Sequence, residues 1–98
     1  MMVEITFDPE KNTRNIRERN LSFELAAEFD FESAVTHIEH RRGEYRIVAV
    51  GYLGDRLHVL CYLETDLGIR VISFRKANQR EAMKYGIPKI FDPDTFNG

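Results

Sequence analysis

Three basic side chains, Arg75, Lys76 and Arg80, stand within six residues in the stretch RVISFRKANQREAMKY, residues 70–85. The stretch opens with a β pattern and closes with a helical one, so the charge collects where a strand becomes a helix. A guanidinium donates two parallel hydrogen bonds and matches the oxygens of a phosphate, whereas an ammonium acts as a point charge. The start of the following helix would add partial positive charge at the same place. Other residues offer complementary chemistry. His58, with an ordinary pKa of about 6.5, suits proton transfer, and the rings of Tyr62 and Tyr85 suit stacking on a base or donating a proton. Arg41 and Arg42, in the loop HRRGE, could contact a polyanion, although solvated loop charge would look the same.

This concentration of positive charge departs from the chain average. The 98 residues carry a net charge of −2. Residues 1–40 hold four Lys/Arg against nine Asp/Glu, and residues 41–80 hold eight against four. A cationic middle in an anionic chain points to an anionic ligand, a nucleic acid or a partner of opposite charge. The length fits one domain, taken as residues 1–86, followed by a tail at 87–98 with two prolines and no clear period. No apolar run approaches the ~20 residues needed to span a bilayer. The start, MMVEITFDPE, has neither the basic opening nor the apolar stretch of a signal peptide, so a cytoplasmic location without membrane contact is expected. Cys61 is the sole cysteine and lies in LHVLCYL, as a buried thiol would. His37, His40 and His58 stand at no zinc spacing with it, and neither metal nor cofactor is expected.

The elements that must position these groups are readable by pattern. VEITF alternates as a strand. Asp8-Pro9 is a helix start, with Asp as N-cap and Pro at the first helical position. The helix runs to Arg19, and Asn20 can take the left-handed cap. Ser22 can cap a second, short helix, SFELAAEF, turning Phe23, Ala26, Ala27 and Phe29 to a core. SAVTHIEH is the least regular stretch, readable as a strand ending in HRRGE. YRIVAVGYL and RLHVLCYLE then form a hairpin about Gly54-Asp55, where Gly in first position suits a type II′ turn. The loop TDLG leads to IRVISFR. Asn78 with Glu81 makes a capping box for a last helix to Tyr85, closed by Gly86 and Pro88. The expected fold is α+β: an antiparallel sheet, two N-terminal helices packed on one face, and a C-terminal helix.

The turns also predict a register. Closing the hairpin on Gly54-Asp55 sets Leu53 opposite Arg56, Gly51 opposite His58, Ala49 opposite Leu60 and Ile47 opposite Tyr62. The loop TDLG sets Glu64 opposite Ile69, Val71 opposite Tyr62, Ser73 opposite Leu60 and Arg75 opposite His58. Directly paired residues share a face. One face would then carry Val48, Val50, Val59, Cys61 and Phe74 as the core beneath the helices. The other would gather His58, Tyr62, Ser73 and Arg75 over the small residues Ala49 and Gly51, a shallow cationic depression. A half-solvated outer sheet face would give the same pattern.

These residues also carry a family likeness. "FDPEKNTRNIRERNLSFELAAEFD", "EYRIVAVGYLGDRLHVLCYLE" and "RVISFRKANQREAMKY", in this order, resemble the BrnT toxin family of bacterial type II toxin–antitoxin systems, which has a RelE-like ribonuclease fold. The resemblance covers residues 3–85. It implies a metal-independent ribonuclease that inhibits translation. It also implies neutralisation by a BrnA-like antitoxin with a ribbon-helix-helix part, and contact with DNA only through that antitoxin; a homodimer could form within the complex, but the sequence does not set the oligomeric state. Asp8, Lys11, Arg75 and Arg80 occupy matching positions as candidate functional residues. The family often has Trp before the Asp, where this chain has Phe7. It often has Lys-His-Gly ahead of the SFE motif, where this chain has Glu18-Arg19-Asn20.

Metal-free RNA cleavage requires that the 2′-OH lose a proton, the phosphorane charge be held and the 5′ oxygen gain a proton. The catalytic candidates are Arg75 and Arg80 for charge, His58 for proton transfer and Lys11 for charge or backbone contact. Lys76, Tyr62, Tyr85, Arg41 and Arg42 are the RNA-binding candidates. A binding module of the same fold, holding an antitoxin without catalysis, is the alternative.

Overall fold

A computed structural model describes residues 4–85. The helix stop at Gly86 and Pro88 and the tail at 87–98 lie outside the described residues. The elements run β1 (Glu4–Phe7), α1 (Pro9–Arg19), a 3-10 helix (Phe23–Glu28), β2 (Val35–Arg41), β3 (Glu44–Leu53), β4 (Arg56–Glu64), β5 (Gly68–Lys76) and α2 (Gln79–Tyr85). The five strands form one sheet in the order β1-β5-β4-β3-β2. β2 through β5 are antiparallel, as expected, but β1 lies parallel to β5, with Ile5 beside Ile69 and Phe7 beside Val71. The sheet is therefore mixed. The chain between β1 and β5 is long enough to return β5 in the same direction, a connection that no hairpin turn constrains.

Only one of the two expected N-terminal helices is an α-helix. Asp8 caps α1 by accepting from the Glu10 N–H at 2.9 Å, Pro9 opens it, and Asn20 closes it in the left-handed region at φ 53°. Ser22 caps the next element, but that element is a 3-10 helix. Phe23, Ala26 and Phe29 recur every third residue, and a helix of three residues per turn stacks them on one side. All three are buried while Ala27 is exposed. α1 does not pack by an apolar face, since Asn15 is its one buried residue.

The β3–β4 register is the expected one, with Gly54 at φ 65° in the turn and Gly51 opposite His58. The β4–β5 register starts as expected, Glu64 with Ile69 and Tyr62 with Val71, and then shifts. Cys61 pairs with Ser73, Leu60 with Phe74, Val59 with Arg75 and His58 with Lys76. One extra residue in β5, Ile72, makes a bulge there, and every side chain beyond it changes face. His58 and Arg75 therefore lie on opposite faces, and the depression expected from His58, Tyr62, Ser73 and Arg75 does not form.

The core also sits on the face opposite to the expected one. The larger cluster joins Leu21, Phe23, Ala26 and Phe29 to Ala49, Leu60, Tyr62, Ile69, Val71 and Phe74. Ala49 is buried in this cluster, and Gly51 has no room for a side chain. A Cβ on Gly51 would come within 2.8 Å of Phe29 Cζ. Val50, Leu57 and Val59, the expected main core, form a second cluster with Ala77, and Ala82 and Tyr85 of α2 pack against it. Both faces of β4 are thus covered, and its residues Leu57 to Tyr62 are all buried.

β2 continues through Arg41, and Arg42-Gly43 makes a two-residue turn into β3, with Arg41 paired to Glu44. Both turn residues have positive φ, 53° and 79°, as a type I′ turn requires. Arginine resists this conformation, in which Asn is tolerated far better. Arg42→Asn is expected to stabilise the fold by about 0.5–1 kcal/mol. Calorimetry would then record a Tm about 2–6 °C higher, and an unchanged Tm would show that the turn carries no strain.

Candidate functional site

β1, Glu4–Phe7, ends opposite Val71, so the outer edge of β5 beyond that point has no strand partner among the described residues. The C-terminal half of α1 and the segment after it take its place. The Asn15 side-chain amide donates to the Phe74 and Leu21 carbonyls, both at 2.9 Å, and its oxygen accepts from Arg19 Nη1 at 2.8 Å. The Asn12 side chain accepts from the Phe23 N–H at 2.7 Å. These bonds set α1 against the end of β5 and form a cleft of about 270 Å³ lined by Arg19, Leu21, Arg75 and Lys76. Among the described residues that line it, three of four are cations. Arg19, which the sequence analysis did not select, is among them, and the (i, i+4) spacing from buried Asn15 is the signal that places it.

Arg75 is held in a fixed orientation. Its Nη1 and Nη2 donate to the two carboxylate oxygens of Glu81 at 2.7 and 2.8 Å, and Nη1 also donates to the Lys76 carbonyl at 3.3 Å. Of the guanidinium's five N–H groups, Nε–H and the second Nη2–H take no partner among the described residues. Those two donors lie on one edge, the arrangement that grips a phosphate. Glu81 in turn completes the expected capping box: its Oε1 accepts from the Asn78 N–H at 2.9 Å and its own N–H donates to Asn78 Oδ1 at 2.8 Å.

The Arg75 guanidinium holds the Glu81 carboxyl down at about 2, from an ordinary 4.5, and Glu81 raises the pKa of Arg75. Because the folded carboxyl titrates below the unfolded one, the stabilisation is present above about pH 4.5 and is lost as pH falls toward about 2. The two side chains are 37% and 25% exposed, so solvent weakens the pair. Glu81→Gln keeps a capping acceptor and is expected to cost about 1 kcal/mol at neutral pH. Urea melts of both proteins across pH 2–5 should converge as the acid limit is approached; a constant difference would mean that the charge of Glu81 contributes nothing.

The other candidates lie in varied surroundings. His58 is 3% exposed, with Nδ1–H donating to the Arg56 carbonyl at 2.8 Å and its ring 5.5 Å from that of Phe74. Burial pushes its pKa down; the hydrogen bond to the Arg56 carbonyl opposes this, and the charges of Arg56 and Lys76 add to the lowering. Tyr62 is 8% exposed, its ring edge-on to Phe31 at 5.7 Å, and burial raises its pKa. Tyr85 packs on the α2 side of the sheet, with Lys84 Nζ 5.1 Å from its ring centre. Lys11 is exposed on α1, two turns before Arg19, and Asp8 serves as N-cap. Arg80 lines a separate open depression of about 780 Å³ with Asn78, Gln79, Met83 and Lys84. Arg41 and Arg42 line a third with Glu44 and Arg46. Val35 stands on the same strand row as Arg75, through Val50 and Val59, so Arg41 is about 20 Å along the strands and about 14 Å across them from Arg75. Among the described residues no group of three or more His, Cys, Asp or Glu could hold a metal, and no helix is long and apolar enough to cross a membrane.

The fold and the cleft can be set beside known proteins. No curated protein sequence matches the chain. The Brucella abortus ribonuclease toxin BrnT, known from a crystal structure at 1.1 Å resolution, is similar in fold with a TM-score of 0.62. The two are 23% identical, and the likeness covers 79% of this chain and 99% of that one. Over residues 7–81 the sequence matches the family described as "Ribonuclease toxin, BrnT, of type II toxin-antitoxin system". That span holds α1, the bulged β5 and Arg75 with its partner Glu81, and over it the chain belongs to the BrnT ribonuclease toxins of type II toxin–antitoxin systems.

Proposed function

We propose that this protein cuts RNA without a metal at the cleft of Arg19, Arg75 and Lys76, and so inhibits translation in the cytoplasm. The observation that carries the reading is the open donor edge of Arg75, oriented by Glu81 and flanked by two further cations. A phosphodiester seated there meets donors fixed in advance, the condition under which electrostatic stabilisation of a transition state is largest. The 2′ oxygen attacks phosphorus as its proton passes to water. Arg75 and Arg19 hold the charge that builds on the phosphorane, and Lys76 donates a proton to the departing 5′ oxygen. Arg80 and Lys11 extend the cationic surface along the RNA. Residues 1–86 act as the toxin domain with 87–98 as its tail. The neutralising partner is a BrnA-like ribbon-helix-helix antitoxin, through which the complex meets DNA.

A second reading, a module that binds an antitoxin without catalysis, is favoured by one observation: His58 is buried in the core, and His37 and His40 lie on β2 at the far edge of the sheet. Purified protein on a defined RNA, with EDTA present and with or without ribosomes, separates the two. Cleavage in EDTA supports the ribonuclease. No cleavage under any condition, with no growth arrest on expression, supports the module.

A further inference from the structure

Among the described residues the sheet has two edges without a strand partner, and they differ. β1 spans four described residues, a length that offers little for a foreign strand to pair with. β2 is seven residues long, is paired to β3 throughout without a bulge, and contains no proline. Six of its seven residues, Thr36 to Arg41, are exposed. Its turn closes on Arg41 and Glu44, which direct their backbone groups at each other. By alternation His40, Ile38 and Thr36 direct their N–H and C=O groups outward. Ile38 is 59% exposed, although it is an apolar residue in the middle of the strand.

We propose that β2 is a self-pairing edge: two copies of this chain join antiparallel through it, about a two-fold axis normal to the sheet that passes midway between the two Ile38 residues. The sequence of the strand, VTHIEHR, carries the argument. In this register Ile38 faces Ile38 of the second copy, Thr36 faces His40, and His37 faces Glu39, each twice by symmetry. The outward backbone groups of Thr36, Ile38 and His40 meet their complements. An axis normal to the sheet allows only shifts of two residues between registers. Moving one step either way centres the pairing on His37 or on Glu39, and so sets like residues against each other.

The side chains on both faces agree with the Ile38 register. On the face of the larger core, Ile38 is paired with Ile47, and Ile47 with Tyr62. Joining two copies makes an unbroken apolar row, from Tyr62 through Ile47 and Ile38 to the same residues of the second copy, and covers the exposed isoleucine. On the other face, Arg46 is paired with Glu39 and Val48 with His37. Joining two copies sets Glu39 between Arg46 of its own copy and His37 of the other. Cross-strand pairs of these kinds are favourable units of sheet stability. The pairing also brings Arg41 opposite Val35 of the second copy, at the start of the row that ends at Arg75. The cationic turn of one copy then lies about 19 Å from the other's Arg75, closer than the roughly 24 Å within a copy.

The test is sedimentation velocity of the full-length chain over a concentration series, alone and as charge variants. Wild type should shift from the 11.5 kDa monomer to twice that mass. Glu39→Arg and His37→Glu each set like or unmatched charges across the interface at two symmetric places, and each should weaken the dimer by about tenfold or more. The double variant H37E/E39R restores opposite charges and should recover the dimer. His37 and Glu39 are exposed and remote from the cleft, so unchanged thermal melts will show that the fold is intact. A wild type that stays monomeric throughout, a dimer indifferent to Glu39→Arg, or a double variant no better than the single ones would each overturn the proposal.

Discussion

Replacing Arg75 with alanine should slow RNA cleavage by about 10²–10³, the cost of losing one preorganised donor. The geometry makes the case stronger than charge alone would. Most exposed arginines sweep a wide volume, whereas Arg75 is pinned through Nη1 and Nη2 to Glu81, and its Nε edge takes no partner among the described residues. Arg75→Lys should recover only part of the rate, because an ammonium offers neither the two-point grip on Glu81 nor the parallel donors. Glu81→Gln should fall between the two, since the fork stays but its orientation loosens. None of these changes should unfold the protein. α2 remains docked by Ala77, Ala82 and Tyr85 on Val50, Leu57 and Val59, and the ion pair is too exposed to be worth more than about 1 kcal/mol. Cleavage of a defined RNA in EDTA, with melting temperatures measured alongside, checks the series. Equal rates for wild type and Arg75→Ala at equal stability would remove Arg75 from the mechanism.

What the sequence could and could not show follows from where local rules apply. Caps and turns are local, and Asp8, Asn20, Ser22, Gly54 and the Asn78/Glu81 box all appear where their chemistry placed them. Register survives as far as a turn dictates it, from Glu64–Ile69 to Tyr62–Val71. It then breaks at Ile72, where neither glycine nor proline marks the bulge. One unmarked residue was enough to turn Arg75 away from His58 and to move Phe74 from the face of Val59 to the larger core on the face of Leu60.

The choice of core face failed for a different reason. Alternation reveals the buried side of a strand that has one wet face, and β4 has none. Val50 and Val59 looked like a core because they belong to one, but it is the smaller one under α2. The better signal was the smallness of Ala49 and Gly51. It was read as the floor of an open depression, yet small residues on a sheet equally leave room for large rings packed above them, here that of Phe29.

The departure at Glu18-Arg19-Asn20 also looks different in three dimensions. Asn20 takes the left-handed cap at φ 53°, a position glycine fills most easily and asparagine next best. Arg19 lines the cleft beside Arg75 and Lys76. The chain therefore keeps a helix end and a cation at the positions where the family often has glycine and histidine, and the group it lacks there is an imidazole able to exchange a proton near neutral pH.

Asn15 couples the fold to the cleft, and its loss should have the largest effect on stability. It is 4% exposed, and its amide satisfies the Leu21 carbonyl and the Phe74 carbonyl on the edge of β5 beyond the end of β1. Asn15→Ala would leave the Phe74 and Leu21 carbonyls buried without donors, at about 1–3 kcal/mol each. Some relaxation toward water should bring the total to about 2–4 kcal/mol, a drop of about 10–25 °C in Tm. Arg19 would lose its acceptor at the same time, so cleavage measured well below both melting temperatures should also fall, by less than for Arg75→Ala. Asn15→Asp separates the two roles. The carboxylate keeps an acceptor for Arg19 but turns a second oxygen toward two carbonyls, so its destabilisation should match or exceed that of alanine. Its charged form is disfavoured on folding, which raises the carboxyl's folded pKa. The penalty is therefore complete above that pKa and eases as pH falls, when the protonated acid can donate to one carbonyl. Calorimetry of the three proteins from neutral pH down to the acid range reads this directly. If Asn15→Ala melts within a few degrees of wild type, or Asn15→Asp shows no relative recovery in acid, α1 is held against β5 by something other than this amide.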